Sequence, residues 1–272
     1  MLRSTYKFLS VSALALAALS GPAFADPACD LSDGYGISPT AFQKEANACL
    51  QGIDGIKTDS ATANQLLRLA GEQRADHGAS ELEALSSLMD AARLHAYDMA
   101  VRGYAAHEDL EGRTHLDRVR MMERSGLIGA FGANVVVVKA GTSAEDIQKV
   151  MMADKANAEN FKRNAFDHMG VAAIEANGMV YVVELFARID GRLDAPMPTV
   201  AAARAKLTAD YSEQFEPVGW SVVSANGTTL MRGIGDKLPA SIPSMEEGFL
   251  QMDVALGNDV YTLKGPAISS SL

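Results

Sequence analysis

The side chains with the most chemical capability in this chain are five histidines, two cysteines and one glutamate set among apolar residues. His107 stands a few residues beyond a long amphipathic pattern, in the polar stretch Tyr104-Ala-Ala-His107-Glu-Asp109. An imidazole anchored this way can be held in one orientation for binding or proton transfer. Its bland counterpart is a loop histidine that hydrogen-bonds backbone. His168 precedes an apolar strand and could lean toward the same site, or sit in a turn facing solvent. Glu184 interrupts the apolar run Met179–Ala187; facing inward it must be paired or protonated, and facing outward it is ordinary. With Glu184 or His168 as helper, His107 could act as the general base of a hydrolase, which makes these three the catalytic candidates. His95 lies on the edge of an apolar helical face and reads as a structural, partly buried histidine, while His77 and His115 sit in polar helical surroundings and read as surface. Tyr97 and Tyr104 could line a groove, although aromatics at such spacings more often fill a core. The thirteen methionines, Met121-Met122 and Met151-Met152 among them, read as gap-fillers of helical cores.

The elements that must position these groups follow from periodicity. Leu85, Leu88, Met89, Ala92, Ala96 and Met99 recur at three- and four-residue steps, one face of a helix that begins close to Ser80 and stops at Gly103. Before it, helices are expected around Pro39–Leu50 and from Ser60 to near Gly78. After the polar loop, Thr114 and Asp117 resemble a capping box opening a helix that closes at Ser125-Gly126. Four valines within Asn134–Lys139 predict a buried strand, and Thr142 to Glu145 a full capping box for the next helix. Asn177-Gly178 joins two apolar runs and predicts a hairpin. Past Arg192, the sequence predicts a short linker at Ala195–Pro198, an alanine-rich helix at Val200–Ala209 and hairpins about Asn226-Gly227 and Gly257-Asn258. Asn226-Gly-Thr228 is also formally a glycosylation acceptor, weakened by the tight turn. Helices followed by antiparallel strands, without regular βαβ alternation, indicate an α+β domain, and no dinucleotide, P-loop or GxSxG motif opposes it.

Residues 1–25 carry Arg3 and Lys7 ahead of an apolar run and end Ala23-Phe24-Ala25, a secretory leader with cleavage expected near Ala25. That run is too short to remain as a membrane span. The mature chain is expected in the periplasm or secreted, with no transmembrane segment, and has room for one developed core plus an appendage, or for two small domains. The chain's net charge is −10, and losing a basic leader makes it more acidic. Such a chain is poorly suited to phosphate backbones, so nucleic acid is excluded. Cys29 and Cys49 are expected to pair in an oxidising compartment, stabilising the N-terminal segment by about 3 kcal/mol on the chain-entropy model. No CxxC spacing or nearby histidine supports a metal or redox role for them.

Residues from about Ala63 to Ala187 resemble the CAP family of cysteine-rich secretory proteins, antigen 5 and pathogenesis-related proteins, in its short bacterial form. The resemblance is carried by His95 and Asp98-Met99-Ala100 on the second helix, His107 as the first cavity histidine, and Asp109, Gly112, Arg113 and Asp117-Arg118 after it. Asn134 matches the asparagine of the family's Gly-Glu-Asn motif; Met152, Phe166, Gly170-Val171 and Val182–Phe186 match the later landmarks. The implied fold is a three-layer α-β-α sandwich with a largely antiparallel sheet and an exposed polar cavity. Two departures stand out: the family's glutamate is Ala133 here, and its second histidine is Asn157. The resemblance thus implies a cavity of His107, Asn134 and Asn157, with no metal and no cofactor expected, since one histidine and amides make a poor zinc site but can still hydrogen-bond a ligand. The division expected is a leader (1–25), an N-terminal disulfide segment (26–60), a CAP-like domain (61–192) and a small β-rich extension (193–272) that covers or extends it. Function is expected as a non-catalytic binding module of the cell envelope, for a lipid, another small hydrophobic ligand or an envelope component. The alternatives are a hydrolase of envelope polymers or peptides, or a structural scaffold.

Overall fold

A computed structural model describes residues 29–53, 60–212 and 214–270; the leader and its cleavage near Ala25 lie outside them. Among these residues six helices, α1 (Pro39–Ile53), α2 (Ser60–Asp76), α3 (Ser86–Arg102), α4 (His115–Met122), α5 (Ala144–Ala153) and α6 (Lys155–Lys162), pack around one sheet. Its strands are β1 (Glu83–Ala84), β2 (Gly126–Lys139), β3 (His168–Ala176), β4 (Met179–Leu193), β5 (Ala209–Tyr211), β6 (Glu216–Val223), β7 (Thr229–Gly233), β8 (Gly248–Leu256) and β9 (Asp259–Ile268). They run in the order β1-β3-β4-β2-β9-β8-β6-β7, with β5 on the end of β4, and every strand pairing but the parallel β1–β3 contact is antiparallel. The fold class is α+β, as the element pattern predicts.

Strand alternation along β4 separates two cores. Tyr181, Val183, Leu185 and Ala187 face α3, meeting Leu88, Ala92, Ala96 and Met99. Val180, Val182 and Phe186 face the opposite layer and meet Leu66 and Ala70 of α2, Ile147 and Met151 of α5 and Phe161 of α6. Helix, sheet and helix thus form three layers. α3 is buried nearly all round, from Leu88 through Ala100, because α1 and α4 cover the side turned away from the sheet. Gly103 caps it in the left-handed conformation at φ 72°, its N–H donating to Met99 O.

α3 lies directly on the backbone of β3 at Gly170, where a methyl group would run into the backbone of Leu88 and Met89. Backbone cannot move aside as a flexible side chain can. Gly170→Ala should therefore destabilise the protein by about 3 kcal/mol, at the upper end of overpacking costs, read as a lowered urea midpoint; an unchanged midpoint would show that α3 does not seat here.

Several boundaries differ from the sequence reading. α3 begins at Ser86 rather than near Ser80, since Glu83 and Ala84 pair with His168 and Met169 as β1. β2 starts at Gly126, well before Asn134, because its first half pairs with the distal half of β4. The cap of α5 is Ser143, whose hydroxyl accepts from Asp146 N, one residue later than the expected box. No helix forms over Val200–Ala209. Ala201 and Leu207 instead insert into the core beneath β6 and β8, while Ala201 N donates to Ser269 O and Leu207 N to Asp236 O. Hydrogen bonds to distant backbone replace the local ones the alanines favour. The hairpins at Asn177-Gly178, Asn226-Gly227 and Gly257-Asn258 form as predicted, the first with φ of 52° and 74°.

The C-terminal strands join the same sheet through Ile128 of β2 opposite Lys264 of β9. Arg120 of α4 fastens the junction. Buried, it donates from Nε to Gly265 O and from Nη2 to Leu250 O, each at 2.7 Å, and lies over the Phe249 ring. Burial lowers its pKa to about 10. At the other end, the Cys29–Cys49 disulfide ties the chain before α1 to that helix. Among the described residues, no helix is long and apolar enough to cross a membrane.

Candidate functional site

His107 is exposed in the loop between α3 and α4, and three arginines hold that loop. Arg102, in the last turn of α3, grips Asp98 and also donates from Nη1 and Nη2 to the two oxygens of Glu111, at 2.6 and 2.8 Å. Tyr104 donates its hydroxyl to the same Asp98 at 2.6 Å. Asp109 accepts from the backbone N–H groups of Glu111 and Arg113, and its other oxygen takes Nη2 of the fully buried Arg118 at 2.9 Å. The neighbouring Arg113 donates to Gly34 O and Gly36 O, tying the loop to the N-terminal segment. Asp98, Asp109 and Glu111 are thus already committed to arginines, while Glu108 is exposed.

The ring beside His107 belongs to another histidine. His107 Nδ1 lies 3.3 Å from His115 Nε2, and the rings meet edge to face. His115 in turn abuts His95, with ring centroids 4.5 Å apart. His95 is fully buried on α3 and donates from Nε2 to Ala106 O at 2.8 Å. His115 is 4% exposed, contrary to its reading as a surface residue. As the first residue of α4 it shares a face with the buried Val119 one turn on, and that spacing was the signal that could have found it. Desolvation, then the charge of Arg118, drops His95 to about 3. Desolvation followed by His95 and Arg118 pushes His115 further down still. Both imidazoles are therefore neutral at ordinary pH.

Asn134 and Glu184 form a second cluster, on the opposite face of the sheet from α3. They are opposite each other in the β2–β4 register, and both are fully buried. Asn134 Nδ2 donates to Glu184 Oε2 at 3.1 Å, and Asn160 of α6 donates from Nδ2 to Asn134 Oδ1 at 2.8 Å. Asn157 enters this cluster through its backbone: its carbonyl accepts from Asn134 Nδ2 at 3.5 Å, and its N–H donates to the capping Asp154. Burial raises the Glu184 carboxyl to about 8 against the lowering effect of Asn134. His168 pairs with Asp167, Nδ1 to Oδ1 at 2.5 Å, and its Nε2 lies 4.0 Å from Glu83. Ala133, at the position of the expected acid, packs into the core on the α3 side.

The structure therefore brings His107 together with His95 and His115, and Asn134 with Glu184, Asn160 and the backbone of Asn157, but among the described residues no hydrogen bond joins the two groups. Sequence reasoning placed His115 on the surface, took Arg118 only as a landmark of the resemblance, and missed Asn160. Among the described residues, no three His, Cys, Asp or Glu side chains converge as a set of metal ligands. What the histidine cluster can do is hydrogen-bond a ligand at an exposed imidazole backed by two neutral ones.

Comparison with known proteins bears on the family. The family model for the CAP: Cysteine-rich secretory protein family matches residues 67–186, spanning α2 through most of β4. No curated protein sequence matches the chain. Among solved structures, it is similar to an outer surface protein from Borrelia burgdorferi (TM-score 0.43, 16% identity), covering 47% of this chain and 93% of that one. It is also similar to an extracellular protein containing an SCP domain from Bacillus anthracis str. Ames (0.41, 18%; 56% of this chain, 44% of that one). A third is a cysteine-rich secretory protein from Staphylococcus aureus (0.34, 15%; 49% and 40%). With its family-model match and its α-β-α layers, the chain carries a domain of the CAP family across residues 67–186.

Proposed function

We propose that the protein is a non-catalytic binding module of the cell envelope, working in the periplasm or outside the cell after cleavage near Ala25. In this reading residues 61–192 carry the site and residues 193–272 extend the sheet that supports it. The reading rests on the partner of His107. A hydrolytic general base is normally oriented and charged by a carboxylate behind it. Here the group behind His107 is His115, an imidazole that burial keeps neutral, while Asp98, Asp109 and Glu111 serve arginines. No carboxylate in that set backs His107, whereas its exposed ring remains able to hydrogen-bond a ligand. The ligand in this reading is a lipid, another small hydrophobic molecule with a polar group, or an envelope component; Val101 in the last turn of α3 and Leu110 in the loop are exposed apolar side chains of the same segment.

Cosedimentation of the mature protein with isolated envelope material tests it, together with assay of the supernatant for released sugars or peptides. The expected outcome is saturable retention, weakened several-fold by His107→Ala, with no fragments released. Fragment release that His107→Ala abolishes in a folded protein would make it a hydrolase instead.

A further inference from the structure

His115 also fixes which nitrogen of His107 carries its proton, and so what a ligand must offer. His95 gives its Nε2 proton to Ala106 O, leaving Nδ1 as a bare ring nitrogen. His115 has one proton and two places for it. Its Nδ1 is buried and, among the described residues, meets no hydrogen-bond partner, while its Nε2 faces His107 Nδ1 at 3.3 Å. A buried N–H without an acceptor is rarer than a buried acceptor without a donor. The proton therefore sits on His115 Nε2, where it has an acceptor, and Nδ1 is left bare. His107 Nδ1 is then the acceptor, and a neutral His107 keeps its proton on Nε2, the nitrogen that no described protein group engages.

We propose that His115, its Nδ1 buried without a partner among the described residues, holds His107 as the Nε2–H tautomer, so that the site presents a hydrogen-bond donor and takes a ligand offering an acceptor oxygen, carboxylate or carbonyl. This rests on the binding reading and names its ligand class. Arg118, fully buried and paired through Nη2 with Asp109, lies close enough to His95 and His115 to disfavour a charge on either ring. A bare acceptor at His107 Nε2 would suit a metal ion or a proton to be abstracted; a donor there suits neither.

The tautomer is measurable without any ligand, by correlating side-chain nitrogens and protons of 15N-histidine-labelled protein at a pH where His107 is neutral. The expected spectrum shows a protonated Nε2 and bare Nδ1 on His107, with scalar coupling across the hydrogen bond between His107 Nδ1 and His115 Nε2. A proton on His107 Nδ1, or no such coupling, overturns the proposal. His115→Ala should abolish the coupling and release His107 into a mixture of tautomers; should that variant fail to fold, the wild-type spectrum decides alone. Acetate and the neutral acetamide are the ligand probes. Either should move the His107 Nε2–H resonance saturably, acetate farther if charge contributes, and methylammonium should not; saturable shifts from methylammonium alone would refute the ligand class. A wrong tautomer leaves the binding reading standing, whereas hydrolysis lost with His107 removes that reading and leaves the tautomer measurement untouched.

Discussion

Replacing Glu184 with glutamine is expected to stabilise the protein progressively as pH rises, the advantage over wild type growing by about 1.4 kcal/mol per pH unit between the ordinary carboxyl value of 4.5 and about 8. Glu184 is fully buried between the sheet and the α2–α5–α6 layer, among Val182, Phe186 and Phe161. Its Oε2 accepts from Asn134, while Oε1 meets no partner among the described residues, so no cation or cluster of donors compensates a negative charge there. The folded protein therefore keeps the proton to about pH 8, while the unfolded chain gives it up near 4.5. With the proton bound more tightly in the folded state, stability from this group is full below 4.5 and drains away as pH climbs. Summed over that window the effect is on the order of 5 kcal/mol, comparable to the whole stability of many domains. Glutamine keeps the carbonyl that Asn134 needs and has nothing to ionise. Urea midpoints of the two proteins from pH 4 to 9 give the answer: parallel profiles would mean that Glu184 is ionised in the fold. Glu247, also raised by burial to about 7, contributes to the wild-type slope, so only the difference between the proteins isolates Glu184.

How much of this was legible in the sequence depended on whether the signal was local. Gly103 stops α3, Thr114 and Asp117 cap α4, and Asn177-Gly178 turns β3 into β4, each because a few adjacent residues satisfy each other's backbone groups. The face on which Glu184 lies was not local. A strand apolar on both faces, as β4 is from Val180 to Ala187, carries no alternation to read, and only its pairing with β2 and the helices above it put Glu184 inside. The histidine cluster failed to show for a related reason. His95, His107 and His115 come from α3, a loop and α4, and a buried His115 looks polar in a sequence because its neighbours Thr114 and Asp117 are spent on a cap rather than on solvent. At Val200–Ala209 helix propensity was overruled by tertiary contacts, with Ala201 and Leu207 filling the second core.

The acid side of the profile should belong to that same histidine cluster, and His115→Phe is expected to remove part of it. His115 and His95 stay neutral in the folded protein far below the usual imidazole value of 6.5, whereas the unfolded chain protonates both near it. Unfolding then takes up protons, so each histidine's stabilisation is complete above 6.5 and is lost at about 1.4 kcal/mol per unit as pH falls. Between 4.5 and 6.5 that loss runs against the gain from Glu184 and Glu247, so wild-type stability should be close to level there, falling below 4.5 through the histidines and above 6.5 through the carboxyls. Phenylalanine fills the His115 site beside His95 with a ring that cannot titrate. Whatever constant offset its packing introduces, the difference between variant and wild type should widen in the variant's favour by about 1.4 kcal/mol per unit below pH 6.5. His95 would show the same slope down to about pH 3. Because the test reads a slope, a cost of repacking cannot mimic it. If instead the difference held constant from pH 7 to 4, a charge would be tolerated at His115 in the folded state, and the neutral backing on which the binding role of His107 rests would be gone.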